Sequence, residues 1–409
     1  MLDNETAIQR VPHSVRALEH STVQVCMHCD GDPSEHRRIW RRYTKTILFT
    51  AILEVLPFSL AAFILKAREK YAQMSIELLR NSRNLVRKGD VSTIRFPSAQ
   101  ALFKEAQRRG IRMEGHTYRG RPLRYYYATF PNHTTIRFFG FPRPPATRYR
   151  GERWMDDKFL LKKKLSAGGV PTPVGGCFTN YRRARNFLSK LTKPVVVKPR
   201  RGTRGNHTTT CVYTESDLYE AFTLAKQLCH FVIVEEQIAG AVYRGTVINN
   251  TVVGILAGEP PYVVGDGIHT ISQLIAQKNE KRNSLTAQVV VTSLTHQYLS
   301  RNRLTLRSVP QPGTIVYLSQ KMGVRNGGTS TECTGTVHPE LLKILEQAAR
   351  IVDDPIIGFD FIIPDATKDP RGQRWAIIEA NGSPFIHMHD DPELGTRNNV
   401  AQHIWNLWL

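Results

Sequence analysis

Two apolar runs near the C-terminus constrain this chain more than any other feature. They are Ile357-Gly358-Phe359-Asp360-Phe361-Ile362-Ile363 and Trp375-Ala376-Ile377-Ile378-Glu379-Ala380-Asn381, joined by a polar loop rich in Pro, Asp, Lys and Gly. A hairpin centred on that loop pairs residues of constant index sum, which sets Ile363 against Ala376 and Asp360 against Glu379. Side chains alternate faces along a strand, so Asn381 shares a face with Glu379 and lies diagonal to Asp360. Each acid interrupts an apolar run, where an unpaired buried carboxylate is costly. The bland alternative is an acid at each strand end facing water. Two carboxylates and an amide oxygen suit a hard cation such as Mg²⁺ bridging nucleotide phosphates, whereas a soft or tetrahedral metal calls for Cys or His.

Phosphate also needs cations and backbone donors, and the segment from Pro194 to His207 carries both. A β-branched run ends in Lys198, Gly202 and Gly205 let a loop approach an anion, and Arg200, Arg201 and Arg204 raise the local positive potential. A solvated strand end is the competing reading. Further on, Phe231 to Val234 reads as a buried strand leading into Glu235-Glu236-Gln237-Ile238, an edge able to offer a base a main-chain donor and acceptor between apolar walls. Tyr243 to Ile248 and Thr251 to Leu256, flanking Asn249-Asn250, form a hairpin signature with a two-residue turn. Arg244 on that hairpin points either at phosphate or at solvent.

In this order the pieces resemble the ATP-grasp ligases. The closest likeness is to the ATP-grasp modules of cyanophycin synthetase and of the bifunctional glutathione-forming enzyme, through Val264-Gly265-Asp266-Gly267-Ile268-His269-Thr270-Ile271, Asn326-Gly327-Gly328 and Met388-His389. The resemblance runs from about Trp154 to the C-terminus. It implies an ATP-grasp fold, two α+β subdomains clasping ATP. It assigns Lys158 and Lys198 to phosphate, Glu235, Glu236, Gln237 and Ile238 to the adenine hinge, and Asp360, Glu379 and Asn381 to Mg²⁺ or Mn²⁺. Lys198 and Arg244 are the expected catalytic cations. The implied chemistry is transfer of a γ-phosphoryl group to a carboxylate, then attack of an amine on the acyl phosphate. Relatives commonly carry an acid for the ribose hydroxyls where this chain has Val242, and Glu236 is the expected substitute.

Lys and Arg number 56 against 35 Asp and Glu, a net charge of +21. Residues 1–150 hold 26 basic and 12 acidic side chains, so +14 of the excess lies there. Such a balance fits nucleic acid, an anionic membrane or an acidic substrate. No nucleic-acid motif accompanies it, so no nucleic-acid partner is expected. The stretch from Ile47 to Leu65 is mostly apolar and flanked by Arg and Lys. Its length would span a bilayer, but Glu54 lies near its middle. A core helix, a membrane-surface helix and a span are the three readings, with peripheral membrane contact through 37–70 as the partner it suggests. The first 30 residues lack the apolar core of a signal peptide. Six cysteines are dispersed, consistent with reduced thiols in the cytoplasm. Only Cys26-Met27-His28-Cys29 has metal-like spacing, with His20 and His36 nearby.

The expected organisation is a basic, mostly helical region over 1–90, a small α/β domain over 91–150, and an ATP-grasp domain over 151–409 with a variable insertion at about 264–336. Helical patterns run from about Ile39 to Lys88. A strand at Ser92 to Phe96, a helix from Ser98 to Arg109 and the following Gly110-Ile111-Arg112 give a β-α-β-like rhythm. The leading functional reading is a carboxylate–amine ligase acting on an amino acid or small peptide, with the oligomeric state open and a homodimer compatible with it. The alternatives are a small-molecule kinase on the same fold and a catalytically silent nucleotide-binding or membrane-associated scaffold.

Overall fold

The computed structural model describes residues 26, 33–79, 85–89, 94–145, 154–191, 194–203, 205–282, 287–319 and 327–409. Helices α1 (His36–Val55) and α2 (Phe58–Leu79) break at Leu56, which is extended because the following Pro57 disfavours helical backbone before it. The apolar stretch over 47–65 is therefore a corner between two helices, closed by Leu53, Ala61 and Leu65. Glu54 is not left in an apolar environment. It pairs with Lys164 at 2.7 Å and so docks α1 on the rest of the protein. No described helix is long and apolar enough to cross a membrane.

The helical pattern does not continue to Lys88. Strand β1 (Leu85–Lys88) begins a sheet that continues, after α3 (Pro97–Arg108), with β2 (Arg112–Tyr118), β3 (Arg121–Thr129) and β4 (Thr135–Phe139). All three pairings are antiparallel, so the β-α-β rhythm expected here is not what forms. Ile94–Phe96 is not a strand but leads into α3, starting where Pro97 fits the first turn. The apolar face of α3 packs with Met113, Tyr126 and Phe138 and with residues from the end of the chain.

Two further sheets carry the site. The first, order β5-β8-β6-β7, follows α4 (Lys158–Ala167) and consists of β5 (Gly175–Phe178), β6 (Val195–Pro199), β7 (Thr209–Val212) and β8 (Val232–Glu236), with α5 (Tyr181–Leu188) and α6 (Glu215–Lys226) covering it. The second begins with the hairpin β9 (Ala241–Ile248) and β10 (Thr251–Gly258). Asn249 and Asn250 both have positive φ, as a two-residue turn matching strand twist requires. Between β10 and the rest of this sheet runs a separate unit of β11 (Tyr262–Val264), α7 (Ile271–Lys281), α8 (Ser293–Arg301) and β12 (Ile315–Tyr317), with its own core around Ile271, Ile275 and Val316. The chain then returns as β13 (Ser330–Glu332), α9 (Pro339–Val352), β14 (Ile356–Ile363) and β15 (Ala376–Asn381), in sheet order β13-β10-β9-β14-β15.

Asp360 pairs with Glu379 as the hairpin reading requires, but the register shifts between Asp360 and Phe361. Ala376 consequently faces Ile362, not Ile363, and the bulge lies on the loop side of the acids. The chain closes with α10 (His387–Asp390) and α11 (Ala401–Trp405), which return to the first sheet. There Trp405 Nε1 donates to Leu102 O at 3.0 Å and Trp408 Nε1 to Pro142 O at 2.8 Å.

A buried ion pair joins this N-terminal sheet to the rest. Arg143 Nε lies 2.9 Å from Asp354 Oδ1, and its Nη2 donates to the Ile356 carbonyl at 3.0 Å. Both side chains are almost inaccessible. Asp354→Asn should therefore cost about 3–5 kcal/mol, because it leaves a buried guanidinium without its counter-charge. Urea unfolding of the full chain measures this, and a loss under about 1 kcal/mol would remove the pair from any role in holding these parts together.

Candidate active site

The site begins at Asp157. It is fully buried, and its side chain caps α4 by accepting from the Phe159 and Leu160 amides at 3.1 Å. The same carboxylate grips Arg200, with Nε 2.8 Å from Oδ1 and Nη2 2.8 Å from Oδ2. One residue thus fixes both the helix that begins at Lys158 and the basic loop that follows Lys198. The Lys158 ammonium donates to Gly202 O in that loop at 2.6 Å and reaches Glu379 Oε1 at 3.5 Å. Sequence reading missed Asp157, although an acid directly before a helical run is an N-cap signal.

Below these groups lies a buried charge cluster. The Glu235 carboxylate holds Lys198 at 2.7 Å through one oxygen and pairs with Lys162 through the other. Burial pushes the Lys162 ammonium below its ordinary value against the pull of Glu235. Burial also acts against the charged form of Lys198, but Glu235 and Glu379 outweigh it and hold this ammonium above its ordinary value. Burial alone would raise Glu235, and the two lysines bring it below the usual carboxylate range. Lys162 was not singled out from sequence, since its spacing on α4 resembles that of neighbouring Lys163 and Lys164.

Glu235 turns its side chain inward to those lysines while its main chain pairs with Gly175 and Val196. The residues after it are held by other contacts. Glu236 accepts from the Val174 amide at 2.7 Å and pairs with Arg374, so the expected ribose substitute already has a cation partner. The Gln237 amide donates to Pro194 O at 3.1 Å, its Oε1 accepts from Cys211 N at 2.7 Å, and Ile238 is buried. Val242 sits in β9 between Gly258 and Ile362.

Across from the lysines, Asp360 lies between Arg244 on β9 and Glu379 on β15. Arg244 grips Asp360 through two bonds, Nε to Oδ1 at 2.6 Å and Nη2 to Oδ2 at 2.7 Å, and its guanidinium carbon lies 4.9 Å from the centre of the Phe385 ring. Asp360, Glu379 and Asn381 end on one side of the β14–β15 pair, half-buried. This all-oxygen donor set fits a hard cation, Mg²⁺ or Mn²⁺, and would not favour a soft one.

Two motifs of the sequence have structural work. Asp266 accepts from the Ile268 and His269 amides at 2.9 and 2.8 Å, and a Cβ at Gly265 would fall 2.3 Å from Gln311 O, so Gly-Asp-Gly forms the turn that closes the separate unit. His389 is fully buried between Glu332, 2.5 Å from Nδ1, and Thr246, 3.0 Å from Nε2. It ties α10 to β13 and β9. Asn326 and Arg204 lie outside the described residues.

No protein-family profile matches the chain. It is 29% identical over 332 residues to cyanophycin synthetase of Trichormus variabilis, covering 76% of this chain and 35% of that protein. It is 32% identical over 268 residues to the glutathione biosynthesis bifunctional protein of Enterococcus faecalis, covering 62% of this chain and 35% of that protein. The crystal structure of a bifunctional glutathione synthetase from Pasteurella multocida superposes with a TM-score of 0.53 at 24% identity, over 76% of this chain and 44% of the other. The chain has the ATP-grasp fold. It spans about a third of the length of the curated relatives it matches. Its two site-bearing sheets, with Lys198 on one and the acids on the other, are the two halves of an ATP-grasp fold.

The Lys162–Glu235–Lys198 cluster predicts both a loss of stability and a pH signature. Glu235→Gln should destabilise this ATP-grasp domain by about 3–5 kcal/mol near neutral pH, since two buried ammonium groups lose their counter-charge. Because the folded-state pKa of Glu235 lies below its unfolded value, its contribution is present above about pH 4.3 and is lost as pH falls through the folded value. The gap in unfolding free energy between wild type and variant should therefore narrow in acid. A gap that stays constant down to pH 3 in a denaturant series would contradict the assignment.

Proposed function

We propose that this chain is an ATP-dependent carboxylate–amine ligase that forms an amide bond on an amino acid or small peptide through an acyl phosphate. The observation that carries the reading is the Lys158 ammonium on α4, which reaches both Gly202 O in the loop after β6 and Glu379 on β15, and so joins the basic loop of one sheet to the carboxylates of the other. In this reading Lys158 and Lys198 bind nucleotide phosphate, and the Gly202 loop closes over it. The main chain around Glu236, Gln237 and Ile238 borders the base. Asp360, Glu379 and Asn381 hold Mg²⁺, which when bound neutralises charge on the phosphates. Arg244 is held by Asp360 at the head of the site, where its guanidinium can stabilise charge on the transferring oxygens or orient the substrate carboxylate.

Asp360→Asn and Glu379→Gln remove charge with little change of volume. They should lower turnover at least about 100-fold while the protein stays folded. Lys198→Ala should weaken nucleotide binding as well as turnover. The assay couples ADP and inorganic phosphate release to mass detection of an amide product across pairs of amino acids and peptides. ADP with a phosphorylated product and no inorganic phosphate would replace the ligase by a kinase. Nucleotide binding with no turnover across the screen would favour a silent scaffold. Wild-type activity in any one of the three variants would remove that residue from the site.

We also infer that the α1–α2 corner makes peripheral contact with an anionic membrane. Leu48, Ile52 and Val55 on α1 and Phe63, Tyr71 and Leu78 on α2 are exposed at helical spacing, and Arg37, Arg38, Arg41, Arg42 and Lys45 precede them. Full-length protein should sediment with vesicles containing phosphatidylserine, less so as salt rises. Protein that ignores such vesicles at low salt but dimerises through this face would make a second copy its cover.

A further inference from the structure

Two neighbouring side chains of the N-terminal region, Cys26 and His36, converge with His207 beside the basic loop. Cys26 Sγ lies 3.6 Å from His207 Nε2, the His36 and His207 rings meet edge to face with centroids 4.9 Å apart, and one ligand atom from each residue lies within 4.8 Å of the other two. His207 is buried, and its Nδ1 lies 2.8 Å from Leu224 O. A carbonyl only accepts, so Nδ1 carries the proton and Nε2 presents its lone pair towards the cysteine. A backbone partner on the far nitrogen is the usual arrangement of a metal-bound imidazole, because it fixes the tautomer and the ring plane.

The distance also fits. With Zn–S of about 2.3 Å and Zn–N of about 2.0 Å at a tetrahedral angle, sulfur and nitrogen sharing one zinc lie about 3.5 Å apart. We propose that Cys26, His36 and His207 form a zinc site that pins the N-terminal helical region to the loop after Lys198. One thiolate and two imidazoles suit a borderline-soft tetrahedral cation and are a poor match for Mg²⁺ or Ca²⁺. The site is distinct from the oxygen donors at Asp360, Glu379 and Asn381. The short spacing of Cys26 and Cys29 drew attention to this stretch in the sequence, but His207, 181 residues from Cys26, is the ligand that only the fold brings in. His20 and Cys29 lie outside the described residues, and the site rests on Cys26, His36 and His207 alone.

Its position gives it a consequence. His207 follows the loop whose Gly202 carbonyl takes the Lys158 ammonium, and Tyr43 on α1 lies 3.9 Å from where a Cβ on Gly202 would be. A metal here clamps α1 over that loop and limits how far the loop can open. Binding releases the thiol proton, so affinity falls in acid as thiol and imidazoles protonate.

The test uses the full-length chain purified without chelator or added metal, then dialysed, and analysed for metal by mass spectrometry. Wild type should hold about one zinc per chain, and Cys26→Ser and His36→Gln should each lower this at least about fivefold while the protein remains folded by circular dichroism. Cobalt(II) added to metal-free wild type should give a thiolate-to-cobalt absorption band and the intense visible bands of a tetrahedral site, with the thiolate band lost in Cys26→Ser. A chelator should also lower the thermal midpoint of wild type and leave that of Cys26→Ser unchanged. Wild type with substoichiometric zinc and no cobalt spectrum, or zinc content equal in wild type and both variants, would overturn the proposal and leave a thiol–imidazole hydrogen bond.

Discussion

The geometry of the site depends on one buried carboxylate with two cations. Glu235 stands at the end of β8, and its two oxygens hold Lys198 from β6 and Lys162 from α4. Two ammonium groups that close would repel each other in a dry interior, and a single lysine there would favour its neutral form. With Glu235 between them the two ammonium groups share one counter-charge, next to the place where α4 and the basic loop meet the acids of β14 and β15. Asp157 repeats the device at the cap of α4 by joining the helix N-terminus to Arg200. The cations are therefore held in place by the fold itself, and under the proposed function a polyphosphate would find its donors in place with little ordering left to oppose binding.

The acidic side is organised differently. Arg244 and Glu379 flank Asp360 from neighbouring strands, so one guanidinium stands beside two carboxylates and grips one of them. Such an arrangement orients the carboxylates at the end of a sheet, and it would make Arg244 and a bound cation alternative partners for the same oxygens. The bulge beyond Asp360 matters here. It absorbs the twist of the hairpin on the loop side and leaves Asp360, Glu379 and Asn381 in regular register.

How much of this was legible in the sequence follows from which forces are local. Asp360 opposite Glu379 and the Asn249-Asn250 turn were readable because period-two patterning and turn chemistry act over a few residues. The bulge was not, since nothing in Ile377-Ile378 distinguishes it from a regular strand. The inward turn of Glu235 and the roles of Lys162 and Asp157 were hidden for another reason. Their ionic partners lie 37 or more residues distant, and an acid or lysine in an amphipathic stretch looks the same whether it meets water or a buried counter-ion. The break at Leu56 was signalled by Pro57. The mostly apolar composition around it drew the eye to a single segment instead. The antiparallel sheet over 85–139 defeated the β-α-β reading because alternation of strand and helix patterns does not specify strand direction.

The central claim is that the γ-phosphoryl group passes to a substrate carboxylate and leaves as inorganic phosphate when an amine attacks. It is tested most directly by isotope transfer. Once a substrate pair is found, the carboxylate is labelled with ¹⁸O and the released phosphate examined by ³¹P nuclear magnetic resonance. An acyl phosphate formed at this site requires that one carboxylate oxygen leave with each phosphate, so the label should appear in the phosphate in proportion to amide formed. Amide formation that releases only unlabelled phosphate would contradict the account.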